Sequence, residues 1–177
     1  YIQYLFNEDT LLSSHNSASR IASSIFLLAL CRSVVPPSAK KLEIIGNWKS
    51  NGSKESNKLW FTDFFKHIKD DAESFSAICP PYVYLNQIID LCSKSNIKIG
   101  AQDIDFSQGA RTGSISAKAC KDLGCNFSII GHSERREFFK EDNFDIRKKL
   151  ICAQENDLKI VMCIGEPVSY THLTLPT

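Results

Sequence analysis

From Lys41 onward, short apolar runs alternate with amphipathic stretches. Leu42–Trp48 has the character of a short strand. Lys54–Asp70 places Phe61, Phe64, Phe65 and Ile68 at helical spacing, so all four share one face. Phe75–Cys79 is a second strand, closed by Pro80 and Pro81. A helix follows over about Tyr82–Lys94, with Leu85, Ile88, Ile89 and Cys92 aligned. Ile97–Ala101 is a third strand. Ser107–Gly113 is a loop leading into a short helix near Ser116–Leu123, and Gly124 suits its left-handed C-terminal position. Phe127–Gly131 is a fourth strand, and a charged, helix-compatible stretch follows His132. Asn143–Asn156 is a helix with Ile146, Leu150 and Ala153 aligned, and Leu158–Ile164 is a fifth strand.

The order is strand and helix in strict alternation, with strand starts about one βα unit apart. The strands are continuous apolar runs, as buried parallel strands are. An open doubly wound sheet and part of a (β/α)₈ barrel both suit this pattern. No Gly-x-Gly-x-x-Gly follows the first strand and no P-loop occurs, which argues against a dinucleotide fold or a P-loop NTPase. In a barrel the chemistry sits just past the carboxyl ends of the strands. Those residues are Asn47-Trp48-Lys49, Pro80-Pro81, Gln102-Asp103, His132-Ser133-Glu134 and Gly165-Glu166. On its own, His132 fits either a helix cap or a catalytic imidazole. Lys49 on its own fits a solvated loop lysine.

Composition narrows the field. The 177 residues carry 21 basic and 20 acidic side chains, a net charge of +1. Such a balance gives no electrostatic case for nucleic acid or a membrane surface. Seven cysteines without a Cys-x-x-Cys indicate neither a disulfide framework nor a zinc site. They read as small buried hydrophobes in a reducing compartment. Residues 1–40 differ from the rest. They are Ser-rich, and Arg20 precedes the apolar stretch Ile21–Cys31, which is too short to span a bilayer. This segment is expected to be a targeting leader or another non-domain segment, and it stays outside the fold argument.

Four motifs then carry a resemblance. Gly46-Asn47-Trp48-Lys49-Ser50-Asn51-Gly52, Gly100-Ala101-Gln102, Ile130-Gly131-His132-Ser133-Glu134-Arg135-Arg136 and Cys163-Ile164-Gly165-Glu166 stand in register on the βα rhythm. With Thr112-Gly113 in the third loop, they resemble the triosephosphate isomerases over about residues 42–166. The resemblance implies a (β/α)₈ TIM barrel, here incomplete: about the first five strands and four helices, in a domain spanning 41–166. It implies interconversion of dihydroxyacetone phosphate and glyceraldehyde 3-phosphate through an enediolate, with no cofactor and no metal.

Residue by residue, the resemblance makes Lys49 the ammonium beside the substrate's oxyanion and phosphate. Asn47 would contact substrate and help hold Lys49. His132 would polarise the carbonyl as a neutral imidazole, the state known for this family's histidine. Glu134 would pair with Lys49. Arg135 is expected to serve structure through ion pairing, and Gln102 to support its loop rather than touch substrate. Thr112 and Gly113 would sit in the loop that enters a second copy of the chain, giving a homodimer. Ser114 and Arg111 depart from the family there, where Glu and an aromatic are usual. Cytoplasm is the family's default location; the 1–40 leader argues instead for a plastid or another organelle. The carboxylate that takes the carbon-bound proton lies past the matched segment, so no residue is assigned that role. Residues 41–177 by themselves are therefore expected to be inactive. Residues 167–177 carry no charge and two prolines where the family begins a polar helix, and are expected to be non-native.

Overall fold

The computed structural model describes residues 3–6, 43–67, 75–106, 109 and 111–164. The leader reading, apart from residues 3–6, and the 167–177 reading fall outside them. So do Gly165 and Glu166. The chain divides into two compact units. One holds the described residues up to Gln102 together with Leu123–Asn126; the other holds Asp103–Asp122 and the residues from Phe127 onward.

In the first unit, β1 (Gln3–Phe6), β2 (Glu43–Asn47), β3 (Phe75–Cys79) and β4 (Lys98–Ala101) form a parallel sheet in that order. β1 adds a strand that the apolar pattern does not single out. Four residues are too few to show a period, and only pairing with β2 defines them as a strand. The β2–β3 register runs from Glu43 opposite Phe75 to Asn47 opposite Cys79, so both strands end level.

Between β2 and β3 lies α1 (Lys54–His67). Its start is fixed by reciprocal serine bonds: Ser56 N–H donates to Ser53 Oγ at 3.1 Å, and Ser53 N–H donates to Ser56 Oγ at 2.8 Å. Phe61 and Phe64 are buried as their spacing predicts, whereas Phe65 lies at the edge and is exposed. Trp60 joins them in the core, stacked on Phe64 with ring centroids 4.5 Å apart. After Pro81 the chain makes a 3₁₀ turn over Tyr82–Tyr84 before α2 (Leu85–Cys92), which buries Leu85, Ile88 and Cys92. The predicted helix thus begins as a tighter turn, a common form at helix N-termini, with Tyr84 N–H donating to Pro81 O at 2.9 Å.

In the second unit, β5 (Phe127–Ile130) pairs in parallel with β6 (Lys159–Met162). All four β5 residues are buried. α3 (Ala117–Leu123) precedes β5 and runs to the edge of this unit, and Gly124, in the Leu123–Asn126 segment of the first unit, follows it with φ +99°, the left-handed conformation expected of it. α4 (Ser133–Phe138) and α5 (Asn143–Glu155) lie between the strands. Asp142 caps α5, accepting from Asp145 N–H at 2.9 Å. Ile146 and Ala153 are buried as the periodicity predicts, and Lys149 and Cys152 are buried beside them.

Candidate active site

Asn47 is the last residue of β2, and Lys49 opens the turn beyond it. Asn51 N–H donates to Trp48 O at 3.1 Å and closes that turn. Within it Lys49 has φ +51°, a left-handed conformation that costs a non-glycine residue about 1–3 kcal/mol. Lys49 N–H donates to Asn47 Oδ1 at 2.9 Å, which joins the two residues. Gln102, just past β4, donates from Nε2 to Lys49 O at 2.7 Å and to Cys79 O at 2.9 Å. It supports the loop, as expected of it. Trp48 turns its ring toward α1, with its centroid 5.4 Å from that of Trp60.

In the second unit, β5 ends at Ile130, and Gly131 follows with φ +69°. Arg136 clasps this corner, donating from Nε to Gly131 O at 2.9 Å and from a terminal nitrogen to Asn143 Oδ1 at 2.8 Å. His132 is the N-cap of α4. Its Nδ1 accepts from Glu134 N–H at 3.3 Å. Glu134 Oε2 lies 3.5 Å from the same nitrogen, too far for a good N–H···O bond. The backbone donor therefore sets the tautomer: Nδ1 keeps its lone pair and Nε2 carries the proton. A ring that can donate from Nε2 suits polarising a carbonyl oxygen. The two readings of His132, cap and catalyst, are not rivals, since capping is what fixes the tautomer.

Arg135 pairs as expected, and the network around it is wider than the sequence suggested. Its Nε lies 2.8 Å from Glu141 Oε1 and 3.1 Å from Asp103 Oδ2. Lys149, only 3% exposed, contacts both Asp103 carboxylate oxygens at 2.7 Å and Glu141 Oε1 at 2.5 Å. Two cations and two carboxylates thus balance beneath α4. Burial and the Glu141 charge push the Asp103 carboxyl up despite its cationic partners. Burial would also raise Glu141, but donors from Lys149 and Arg135 outweigh it and hold that carboxyl below its usual range. The missed signal was Lys149 itself, a lysine on the apolar face of a helix, which requires a buried carboxylate partner.

The third loop leaves Asp105 and returns to Ser116. Asp105 N–H donates to Ile115 O at 2.8 Å to close it. At its tip Ser114 N–H donates to Arg111 O at 3.2 Å across Thr112 and Gly113. Gly113 has φ +80°, as a type II turn requires at its third residue. Thr112 and Gly113 are both exposed. Arg111 reaches back, pairing with Asp105 Oδ1 at 3.2 Å and lying 5.0 Å over the Phe106 ring. Among the described residues, no group of three His, Cys, Asp or Glu is placed to hold a metal ion. No helix there is long and apolar enough to cross a membrane.

Parallel strands linked by helices, with Asn47, Lys49 and His132 at or just past strand carboxyl ends, are the arrangement of the (β/α)-barrel class of proteins. The triosephosphate isomerase family model matches residues 42–172. A triosephosphate isomerase of Moorella thermoacetica is 37% identical over 127 residues, covering 71% of this chain and 51% of the relative. Those of Baumannia cicadellinicola and Hahella chejuensis are 42% and 40% identical over 125 and 131 residues, covering 70% and 73% of this chain. The chain belongs to the triosephosphate isomerase family, and its helices and its strands from β2 onward are part of that family's (β/α)₈ barrel. It spans about half the length of the curated relatives it matches.

Proposed function

We propose that the protein is a triosephosphate isomerase, interconverting dihydroxyacetone phosphate and glyceraldehyde 3-phosphate. The observation that carries this reading is the family match over residues 42–172, which includes Asn47, Lys49, His132 and Glu134 together. When a base removes the proton from the carbon beside the carbonyl, the electron pair moves into a carbon–carbon double bond and negative charge develops on oxygen. A fixed cation and a preorganised donor stabilise that charge. Lys49 supplies the cation, and His132 donates from Nε2 to the same oxygens. Asn47 contacts substrate and holds the Lys49 turn. Glu134 pairs with Lys49 and supports the group. The chemistry draws on no cofactor and no metal. The base is assigned to no carboxylate of residues 1–177, and the activity is proposed for the whole protein.

The Thr112–Gly113 turn is proposed to enter a second copy of the chain and complete a homodimer. Its exposure supports that role. The location is proposed as cytoplasmic, or organellar if residues 1–40 direct import. A fusion of residues 1–40 to a fluorescent protein distinguishes the two. For the activity, glyceraldehyde 3-phosphate is supplied to the whole protein and dihydroxyacetone phosphate is followed by coupled NADH oxidation. Turnover that falls at least about 100-fold in Lys49→Met and in His132→Gln is expected. Absence of turnover in the wild type overturns the reading.

A further inference from the structure

The turn that carries Lys49 does not by itself demand a left-handed lysine. Its closing bond, from Asn51 N–H to Trp48 O, is equally compatible with turn types in which the second residue has negative φ. Side-chain bonds beyond that closing bond hold Lys49 at φ +51°. Side chains hold both peptide groups that flank Lys49, and Asn51 Nδ2 donates to the carbonyl of the first, Trp48 O, at 3.0 Å. Asn47 Oδ1 takes the Lys49 N–H at 2.9 Å and fixes the peptide before it. Gln102 Nε2 donates to the Lys49 carbonyl at 2.7 Å and fixes the peptide after it. The same amide nitrogen spends its second hydrogen on Cys79 O at 2.9 Å, at the end of β3. Cys79 O also accepts from Trp48 N–H at 3.0 Å. Gln102 therefore ties the lysine's own carbonyl to the rigid rim of the sheet.

We propose that Gln102 is a positioning residue for Lys49, selecting the backbone conformation from which its ammonium acts. The inference rests on the reading of Lys49 as the substrate-facing cation. Gln102 acts through backbone carbonyls, and neither its charge nor its acidity enters. Without its two donors, Lys49 relaxes toward negative φ and its side chain leaves on a different vector. A misplacement of about 1 Å at a reacting centre costs roughly 100-fold in rate.

The test is a double-mutant cycle on the whole protein, using Gln102→Met, Lys49→Met and both together. Methionine keeps the length of glutamine and removes both donors. Slow turnover in the lysine variants is followed by proton NMR. Gln102→Met alone is expected to lower kcat/KM by about 10–100-fold, with KM raised as well as kcat lowered. In the Lys49→Met background the same change is expected to cost less than about twofold, because the group it aims is gone. A purely structural role would reduce the folded fraction equally in both backgrounds. The proposal is overturned if Gln102→Met alone costs less than about twofold, or if its cost is the same with and without Lys49. Should Gln102→Met fail to fold, the same cycle is run with Gln102→Glu, which keeps the shape and loses the donors when ionised. A wild type without turnover overturns the functional reading itself, and this inference with it.

Discussion

Lys149→Met is the sharpest probe of how the second unit is held. Lys149 is 3% exposed and faces two carboxylates, Asp103 at 2.7 Å and Glu141 at 2.5 Å. With Arg135, the four groups sum to zero charge. Removing the lysine leaves two carboxylates against one guanidinium, an uncompensated negative charge under α4. The methionine side chain refills most of the lysine stem, so the loss is electrostatic rather than a cavity. Breaking a buried pair from one side costs about 3–5 kcal/mol, because the partner stays buried and charged. At about 2–4 °C per kcal/mol for a chain of this size, the midpoint falls by roughly 6–20 °C. Thermal and urea unfolding of the wild type and variant, followed by circular dichroism, measure this. The second arm is Lys149→Met with Glu141→Gln, which restores balance between Arg135 and Asp103. Arg135 and Lys149 both donate to Glu141 Oε1 and leave Oε2 buried without a hydrogen-bond partner, so neutralising Glu141 also relieves an existing cost. The double variant is expected to be more stable than Lys149→Met alone. A single-variant loss below about 1 kcal/mol, or a double-variant loss equal to the sum of the two singles, refutes the reasoning.

The network also sets an acid limit. Glu141 sits below its usual 4.5 in the fold, so its stabilisation is complete above that value and is lost as pH falls through the lower folded value. Glu141→Gln is expected to flatten the acid limb of stability against pH; an unchanged limb would count against the assignment. Gly131→Ala puts a side chain at φ +69°, where its Cβ would meet Ile146 Cδ1 at 3.1 Å and Arg136 at 3.2 Å. A loss of about 1–3 kcal/mol in chemical denaturation is expected, and a neutral result would show that the corner can flatten. Cys92 is buried, and burial pushes its thiol up to about 12. At pH 8 only about one molecule in ten thousand is thiolate there, so peptide mapping after brief alkylation should find Cys92 unmodified in the folded protein.

Much of this site could be read from residues in order. Apolar runs closed by Pro80 or Gly131 mark strand ends, because a parallel strand buried on both faces has no polar positions to spend. Phe61, Phe64, Ile146 and Ala153 announce their helix faces by spacing alone. The motifs at the strand ends single out Asn47, Lys49, His132 and Glu134 as candidates, and Arg135 was expected to form ion pairs, which it does.

Other features are decided by tertiary contact. Asn47 and Asn51, close in sequence, hold the peptide before Lys49, but the carbonyl after it is reached by Gln102, more than fifty residues on. The tautomer of His132 follows from which hydrogen finds Nδ1, which a sequence does not state. Lys149 is buried because Asp103 and Glu141 converge on it from distant positions, and β1 is a strand only because β2 is beside it. Periodicity and turn chemistry act between near neighbours and are written into the chain. Buried charge balance, tautomer choice and backbone strain depend on groups that folding alone brings together, and those determine how Lys49 and His132 are presented.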